Sequence, residues 1–229
     1  ISLGLVGSEM CIRDSLKAYE TYEFRKVFNA INQFCTNDLS AVYIDATKDR
    51  MYCDAADSPR RRATQTAMQT VLDHLLRLLA PILAYTADEA WEHAPFTTGH
   101  VHEQCFPTPI AAHASQAATA VMERLFVIRH SIQTAIEAQI QSKNFSRNNE
   151  ARIVLTVPAD DLAWTALQDI EAMKELFILA ELEVHTGEQL SAVASKSSYG
   201  LCPRCRRHEA LNAAGLCLRC DEVISARRS

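Results

Sequence analysis

The chain has 229 residues, 48% of them apolar and 22% charged, with a formal charge of −5 at neutral pH. Those proportions exclude a disordered chain, and no apolar run approaches the roughly 18 residues a membrane span needs. Six Gly and seven Pro, where average usage is roughly 7% and 5%, disfavour a turn-dense all-β fold and a Gly-rich phosphate-binding fold, so a mainly α chain is predicted. The negative charge argues against a nucleic-acid binder held by bulk positive charge, but it is unevenly spread. Residues 196–229 carry seven basic and three acidic side chains, a balance of +4, which leaves −9 on the preceding 195.

Residues 1–15 (ISLGLVGSEMCIRDS) lack the basic flank and length of a signal peptide. They resemble translated adaptor sequence and read as a non-native leader, outside the fold; with Ile1 at its start, the chain reads as a piece of a longer polypeptide. From about Leu16 to Ala46, Phe24, Val27, Phe28, Ile31, Phe34, Leu39 and Val42 recur mostly every three or four residues. That period predicts one amphipathic helix, ending before the polar stretch 48–57. Ser58 and Pro59 signal the next start: a hydroxyl can accept from a free helical N–H, and proline suits the first helical position. The helix runs to about Ala80, burying Met68, Val71, Leu75, Leu78 and Leu79, and Pro81 stops or kinks it. Thr86 with Glu89 has the spacing of a capping box opening a short helix through Trp91. Pro95, Gly99, Pro107 and Pro109 place a long connection over 95–113.

Val121, Leu125, Ile128, Ile132, Ile136 and Ile140 predict a long helix from about Ser115 to Gln141. RIVLTV (152–157) alternates and is β-branched, hence a strand. A helix over 161–179 and a strand near 183–186 complete a small α/β unit, and the polar, Ser-rich stretch 188–200 reads as a linker.

Four cysteines, Cys11, Cys35, Cys53 and Cys105, are scattered; Cys202, Cys205, Cys217 and Cys220 form two Cys-x-x-Cys pairs eleven residues apart. Each pair aims two thiolates at one point, and together they supply the four soft ligands of one tetrahedral Zn²⁺. Two disulfides or a redox pair are the rival readings, and neither requires two equivalent knuckles. Four thiolates leave no open position for water, so the zinc is structural, contributing on the order of 10 kcal/mol to a segment with little core. This cysteine usage fits a reducing compartment, by default the cytoplasm. Arg204, Arg206, Arg207 and Arg219 lie in or beside the knuckles, where rigid guanidinium forks suit phosphate and base edges; a solvated surface is the alternative. Lys48, Arg50 and Arg60 to Arg62 form a second basic cluster. Three arginines at a helix N-terminus oppose its dipole, so they either pair with Asp54 and Asp57 or contact an RNA backbone. No phosphate loop or nucleophile elbow occurs; His74, His93, His102 and His130 show no partner pattern, Asp88-Glu89 reads as a first helical turn, and no catalytic residue is assigned.

The runs AVYIDATKDRMYCDAADSPRRRATQT (41–66), APILAYTADEAWEH (80–93), KELFILAELEV (174–184) and the CPRC and CLRC knuckles occur in one order. In that order the chain, from about Lys17 to Val223, resembles the C-terminal region of the bacterial isoleucyl-tRNA synthetases, which are class I aminoacyl-tRNA synthetases. The resemblance implies a helical-bundle anticodon-binding domain over 16–113, then a long helix with a small α/β junction domain over 114–187. After the linker it implies a four-cysteine zinc finger over 201–224 and a basic tail over 225–229. It also implies tRNA(Ile) as partner, together with upstream catalytic and editing domains of the same polypeptide, and no membrane. The His-Ile-Gly-His and Lys-Met-Ser-Lys-Ser signatures of ATP-dependent aminoacylation are absent, so ATP and Mg²⁺ would belong to a catalytic domain outside this chain, which would position tRNA rather than activate an amino acid.

By the same resemblance Cys202, Cys205, Cys217 and Cys220 match the zinc ligands, and Asp45, Lys48, Asp49, Arg50, Tyr52, Asp57, Ser58, Arg61 and Arg62 match the anticodon-domain signature. The nucleic-acid candidates are thus Lys48, Arg50, Arg61, Arg62, Arg204, Arg206, Arg207 and Arg219. The alternative is a zinc-stapled protein-interaction module or a general RNA-binding module without a ligase role. Three departures stand out. Arg206 occupies a place where family members commonly have Trp, so base stacking there falls to an Arg plane or is absent. The stretch 143–149 (KNFSRNN) lacks a small Gly/Ser turn, and the loop between the knuckles is short.

Overall fold

Helix α1 (Ser2–Glu20) begins inside the stretch set aside as a leader, and it ends at a turn that no glycine announces. Tyr22 adopts the left-handed conformation (φ 58°), and the N–H groups of Tyr22 and Glu23 return to the carbonyls of Tyr19 and Ala18 at 3.1 and 2.8 Å. These bonds close the paired C-terminal motif that usually relies on glycine. The single helix expected over 16–46 is therefore interrupted. Helix α2 (Phe24–Gln33) passes into a π-helical run (Phe34–Ile44) and then α3 (Asp45–Cys53). Helix α3 continues through half of the polar stretch expected to end it, because its charged side chains have buried ionic partners instead of water.

In this computed structural model, which describes residues 2–108 and 116–228, the chain forms two units, Ile1–Asp45 with Arg62–Ala118, and Ala46–Arg61 with Thr119–Ser229. The first is helical. Val27, Ile31 and Phe34 face inward as their spacing predicts, whereas Phe24 and Phe28 are exposed. The inward residues pack with Cys11, Ile12 and Ala18 of α1 and with Val71 and Leu78 of α4 (Pro59–Leu79). Tyr19 donates its hydroxyl to the Leu78 carbonyl at 2.7 Å and stacks on Phe106 with ring centroids 4.9 Å apart. Helix α4 stops before Pro81 as expected. Helix α5 (Ala84–His93) starts two residues ahead of Thr86, so the capping box expected there is not formed; the Ala87 N–H already bonds the Leu83 carbonyl at 2.9 Å. Leu76, Ala80, Ala87, Trp91 and Val101 make a second small core. The long connection contains a 3₁₀ turn (Val101–Glu103); its end, over 109–113, and the helix start expected at Ser115 lie outside the described residues.

In the second unit, α6 (Gln116–Gln141) buries Leu125, Ile128, Ile132 and Ile136, a stripe at helical spacing. The turn that follows is again closed without glycine: Lys143 is left-handed (φ 59°), and the Lys143 and Asn144 N–H groups bond the Ile140 and Gln139 carbonyls. Strand β1 (Ala151–Val157) alternates buried and half-buried residues at the centre of a three-stranded sheet. Strand β2 (Glu181–Thr186) lies parallel to it, with Ile153 opposite Leu182 and Leu155 opposite Val184. The crossover is α7 (Trp164–Leu167) and α8 (Ile170–Phe177), not the one helix expected over 161–179. The break falls at Asp169, whose carboxylate accepts the Ala172 N–H at 3.1 Å and so starts a new helix.

The expected linker 188–200 instead contains β3 (Ser191–Lys196), antiparallel to β1. It is an edge strand in which Ala194 alone is buried, so it lacks the apolar alternation that would have revealed it. The cysteine module consists of a two-stranded ribbon, β4 (Gly200–Leu201) and β5 (His208–Glu209), and α9 (Leu218–Arg228), which carries on through residues expected to form a separate tail. No described helix is long and apolar enough to cross a membrane.

Candidate functional site

Each Cys-x-x-Cys pair sits on a turn that the local sequence permits. In the first, Arg206 is left-handed (φ 64°), which lets its N–H return to the Cys202 carbonyl at 2.9 Å while the Cys202 N–H bonds the Arg207 carbonyl at 2.8 Å. In the second, Gly215 (φ 73°) turns the chain, and the Asn212 side-chain oxygen accepts the Ala214 and Leu216 N–H groups. All four thiols are buried and unbridged, and their sulfur atoms lie within 4.8 Å of one another, Cys205 and Cys217 at 3.8 Å. A disulfide would need about 2.05 Å. A tetrahedral ion held by thiolates at about 2.3 Å separates sulfurs by about 3.8 Å, so the four side chains fit a metal ion. Burial acts to raise the Cys202 thiol, but hydrogen bonds from the backbone of Cys205, Cys217 and Arg204 outweigh it and hold this group at about 6. Burial pushes the Cys205 thiol up, and the Cys217 thiol up to about 11. A bound cation would have to supply the stabilisation those thiolates lack.

Around this centre lies a dense ionic cluster. Arg204 Nη1 donates to the Cys220 sulfur at 3.3 Å and to the Cys53 carbonyl at 2.7 Å. Arg219 bridges Asp49 at 2.9 Å and Asp54 at 3.1 Å. Glu175 of α8, only 3% exposed, receives Arg50 Nε at 2.7 Å, Arg60 Nη1 at 2.7 Å and Arg207 Nη1 at 3.4 Å. Arg207 also reaches Asp49 and Glu209, each at 3.5 Å, and Arg60 reaches Asp54 at 3.0 Å. The buried Lys174 links Glu171 and Glu209. Burial would lower the ionisation of Arg219, yet Asp49 and Asp54 raise it, so the guanidinium is firmly charged.

The cluster thus gathers four of the eight arginine and lysine candidates, Arg50, Arg204, Arg207 and Arg219, as half-buried partners of carboxylates, a carbonyl and a sulfur. Arg61 donates to the Asp54 carbonyl at 3.1 Å. Lys48, Arg62 and Arg206 carry no such burial: Lys48 and Arg206 are exposed, and Arg62 lies on the Gln65 side-chain oxygen at 3.4 Å. Of the pairings weighed for the Arg60 to Arg62 run, Arg60 with Asp54 is present. Sequence reasoning missed Glu175, Glu209 and Cys53. Cys53 is buried against the four thiols with its sulfur 3.9 Å from the Arg204 carbonyl, and none of the three carries a local spacing signal.

A second polar cluster lies in the first unit. Asp88 accepts the Val101 N–H and His100 Nδ1, both at 3.1 Å, with Glu92 nearby. The Asp88 hydrogen bond raises the His100 imidazole above its ordinary value, and the pair pins the 3₁₀ turn to α5. Because α5 starts at Ala84, Asp88 lies beyond the first helical turn expected for it, and it has a definite structural partner there.

Residues 10–155 match the family described as the anticodon-binding domain of tRNA ligases. The chain is 36% identical over 225 residues to an isoleucine–tRNA ligase of Brevibacillus brevis, covering 91% of this chain and 24% of that protein. It is 34% identical over 219 residues to one of Sulfurovum sp. (92% and 23%), and 33% identical over 221 residues to isoleucine–tRNA ligase 2 of Burkholderia pseudomallei (92% and 22%). The chain thus spans about a quarter of the length of these curated relatives.

Proposed function

The chain belongs to the family of anticodon-binding domains of tRNA ligases, and on that premise we propose that it holds the anticodon stem-loop of tRNA(Ile) for an isoleucine–tRNA ligase in the cytoplasm. ATP- and Mg²⁺-dependent aminoacylation is assigned to a catalytic domain of the same polypeptide outside these residues, and this chain by itself is expected to be inactive. The observation that carries the reading is the extent of the likeness: the family match over residues 10–155 and an identity with isoleucine–tRNA ligases that runs through nine-tenths of the chain.

We assign the four-thiolate centre to one Zn²⁺, held by Cys202, Cys205, Cys217 and Cys220. The ion would supply folding energy and rigidity and no chemistry, since four thiolates close its coordination. Arg204, through its hydrogen bond to Cys220, would soften the excess negative charge of the thiolates and set the sulfur's orientation.

The reading divides the basic candidates by role. Arg50, Arg204, Arg207 and Arg219 hold the module in place, and Arg61 holds the chain at Asp54; Arg206 in the second unit presents its charge at the surface, where a phosphate can reach it, and Arg62 in the first unit and Lys48 in the second remain exposed candidates, each within its own unit. Positioning of RNA requires only locally placed cations, so the overall charge of −5 is no obstacle. Filter binding of the chain to a panel of tRNAs over a salt series tests the assignment. Tighter binding of tRNA(Ile) than of unrelated tRNAs is expected. Equal affinity across the panel, or no measurable binding at low salt, refutes it.

A further inference from the structure

The guanidinium groups of the ionic cluster are poorly placed to attract a phosphate. Arg50, Arg60, Arg207 and Arg219 face Asp49, Asp54, Glu175 and Glu209, Arg204 faces the Cys220 sulfur and the Cys53 carbonyl, and four thiolates with a divalent ion add about −2, so the cluster as a whole is not positive. Drawing Arg50, Arg60, Arg207 or Arg219 to RNA would take a cationic partner from at least one carboxylate of this cluster.

The first knuckle has a second, differently constituted edge. Asn149 Nδ2 donates to the Arg206 carbonyl at 3.2 Å, tying the 3₁₀ turn Asn148–Glu150 to the knuckle. Arg147 caps that turn, and the Glu150 N–H returns to its carbonyl at 3.0 Å. On the other side the Ser197 N–H bonds the Glu150 carbonyl at 2.8 Å, and Lys196 lies opposite Ala151 in the sheet register. Two hydrogen bonds therefore gather Arg147, Lys196 and Arg206, all exposed and without an ion pair within 4.0 Å among the described residues, from three separate parts of the sequence. The acidic side chain among them is Glu150, held by the Ser146 hydroxyl at 2.9 Å and facing Lys196 and His208; His208 Nδ1 is within 3.1 Å of the Tyr199 carbonyl.

We infer that Arg147, Lys196 and Arg206 form a phosphate-binding rim for the RNA backbone at the junction of the first knuckle and the 3₁₀ turn. The inference rests on the tRNA-binding reading above and locates its backbone contacts. Charge complementarity selects the occupant. Three solvated cations on rigid supports neutralise phosphates at no cost in buried ion pairs, and the half-exposed Tyr199 brings an aromatic ring to the same edge, a combination suited to nucleic acid.

The test measures tRNA affinity of the 229-residue chain against salt, with Arg147→Gln, Lys196→Gln and Arg206→Gln combined. At about 0.7 unit of salt slope per phosphate contact, the triple variant should flatten the log–log slope by about two units and lose about 100-fold in affinity at about 0.1 M salt. Arg25→Gln, an exposed cation elsewhere, should change little, and Glu150→Gln should tighten binding, a gain that misfolding cannot produce. Unchanged slope and affinity in the triple variant, with wild-type binding intact, overturn the rim while leaving the tRNA reading standing. Absence of wild-type binding overturns both. Loss of affinity for anionic lipid vesicles with tRNA affinity unchanged overturns the assignment to RNA.

Discussion

Truncation of Glu175 to alanine should be among the most damaging single changes in the second unit. The carboxylate is 3% exposed and accepts from Arg50, Arg60 and Arg207. Two of these retain other partners after truncation, Arg60 with Asp54 and Arg207 with Asp49 and Glu209. Arg50 retains no ion pair among the described residues and, at 20% exposure, is left facing two like charges. Removing one partner of a buried pair costs about 3–5 kcal/mol, so Glu175→Ala should fall in that range. Glu175→Gln keeps one acceptor without the charge and should cost roughly half as much, near 1.5–3 kcal/mol. The chain has two tryptophans, Trp91 in the first unit and Trp164 in the second, so a Trp91→Phe background lets Trp164 fluorescence report on the relevant unit during urea unfolding of the metal-loaded protein. Arg50→Met added to Glu175→Ala should recover part of the loss by removing the stranded charge. A cost below about 1 kcal/mol for the alanine variant, or no recovery with Arg50→Met, would show that the cluster does not hold the module as argued.

Other outcomes follow from the same geometry. Asp161, whose carboxyl the Arg124 hydrogen bond at 2.8 Å lowers below the usual carboxylate range, stabilises the fold above its unfolded value of about 3.9 and loses that contribution as pH falls through the folded value. Asp161→Asn should therefore destabilise by about 1–3 kcal/mol at neutral pH, with the difference from wild type shrinking below about pH 4 in acid-unfolding curves. His100, raised by Asp88, contributes stability below about pH 6.5 that is lost as pH rises through its folded value; its NMR titration midpoint should lie above about 6.5 and return there in Asp88→Asn. Mass spectrometry under native conditions should find one zinc per chain, abolished by Cys202→Ser, and stripping by a chelator should collapse the near-ultraviolet signature of the second unit while Trp91 fluorescence is retained.

What the sequence determined by itself is what short spacing can encode. The two Cys-x-x-Cys pairs, the helical stripes of α4 and α6 and the alternation in β1 are each readable within a dozen residues, because the geometry they report repeats every two to four residues. The recurrence of four motifs in one order likewise carried the family. Local reading failed where the cause was not local. The turns after α1 and α6 use Tyr22 and Lys143 where glycine would have been the signal, and β3 hides in a polar stretch because one face of an edge strand needs no apolar residues. The largest failure concerns the arginines. Nothing near Arg50 or Arg219 distinguishes a cation free to meet RNA from one bound to a carboxylate, since Glu175 is 125 residues from Arg50 and Asp54 is 165 from Arg219. Which charges are neutralised is a property of the pairs, and only the tertiary fold brings the members of each pair together.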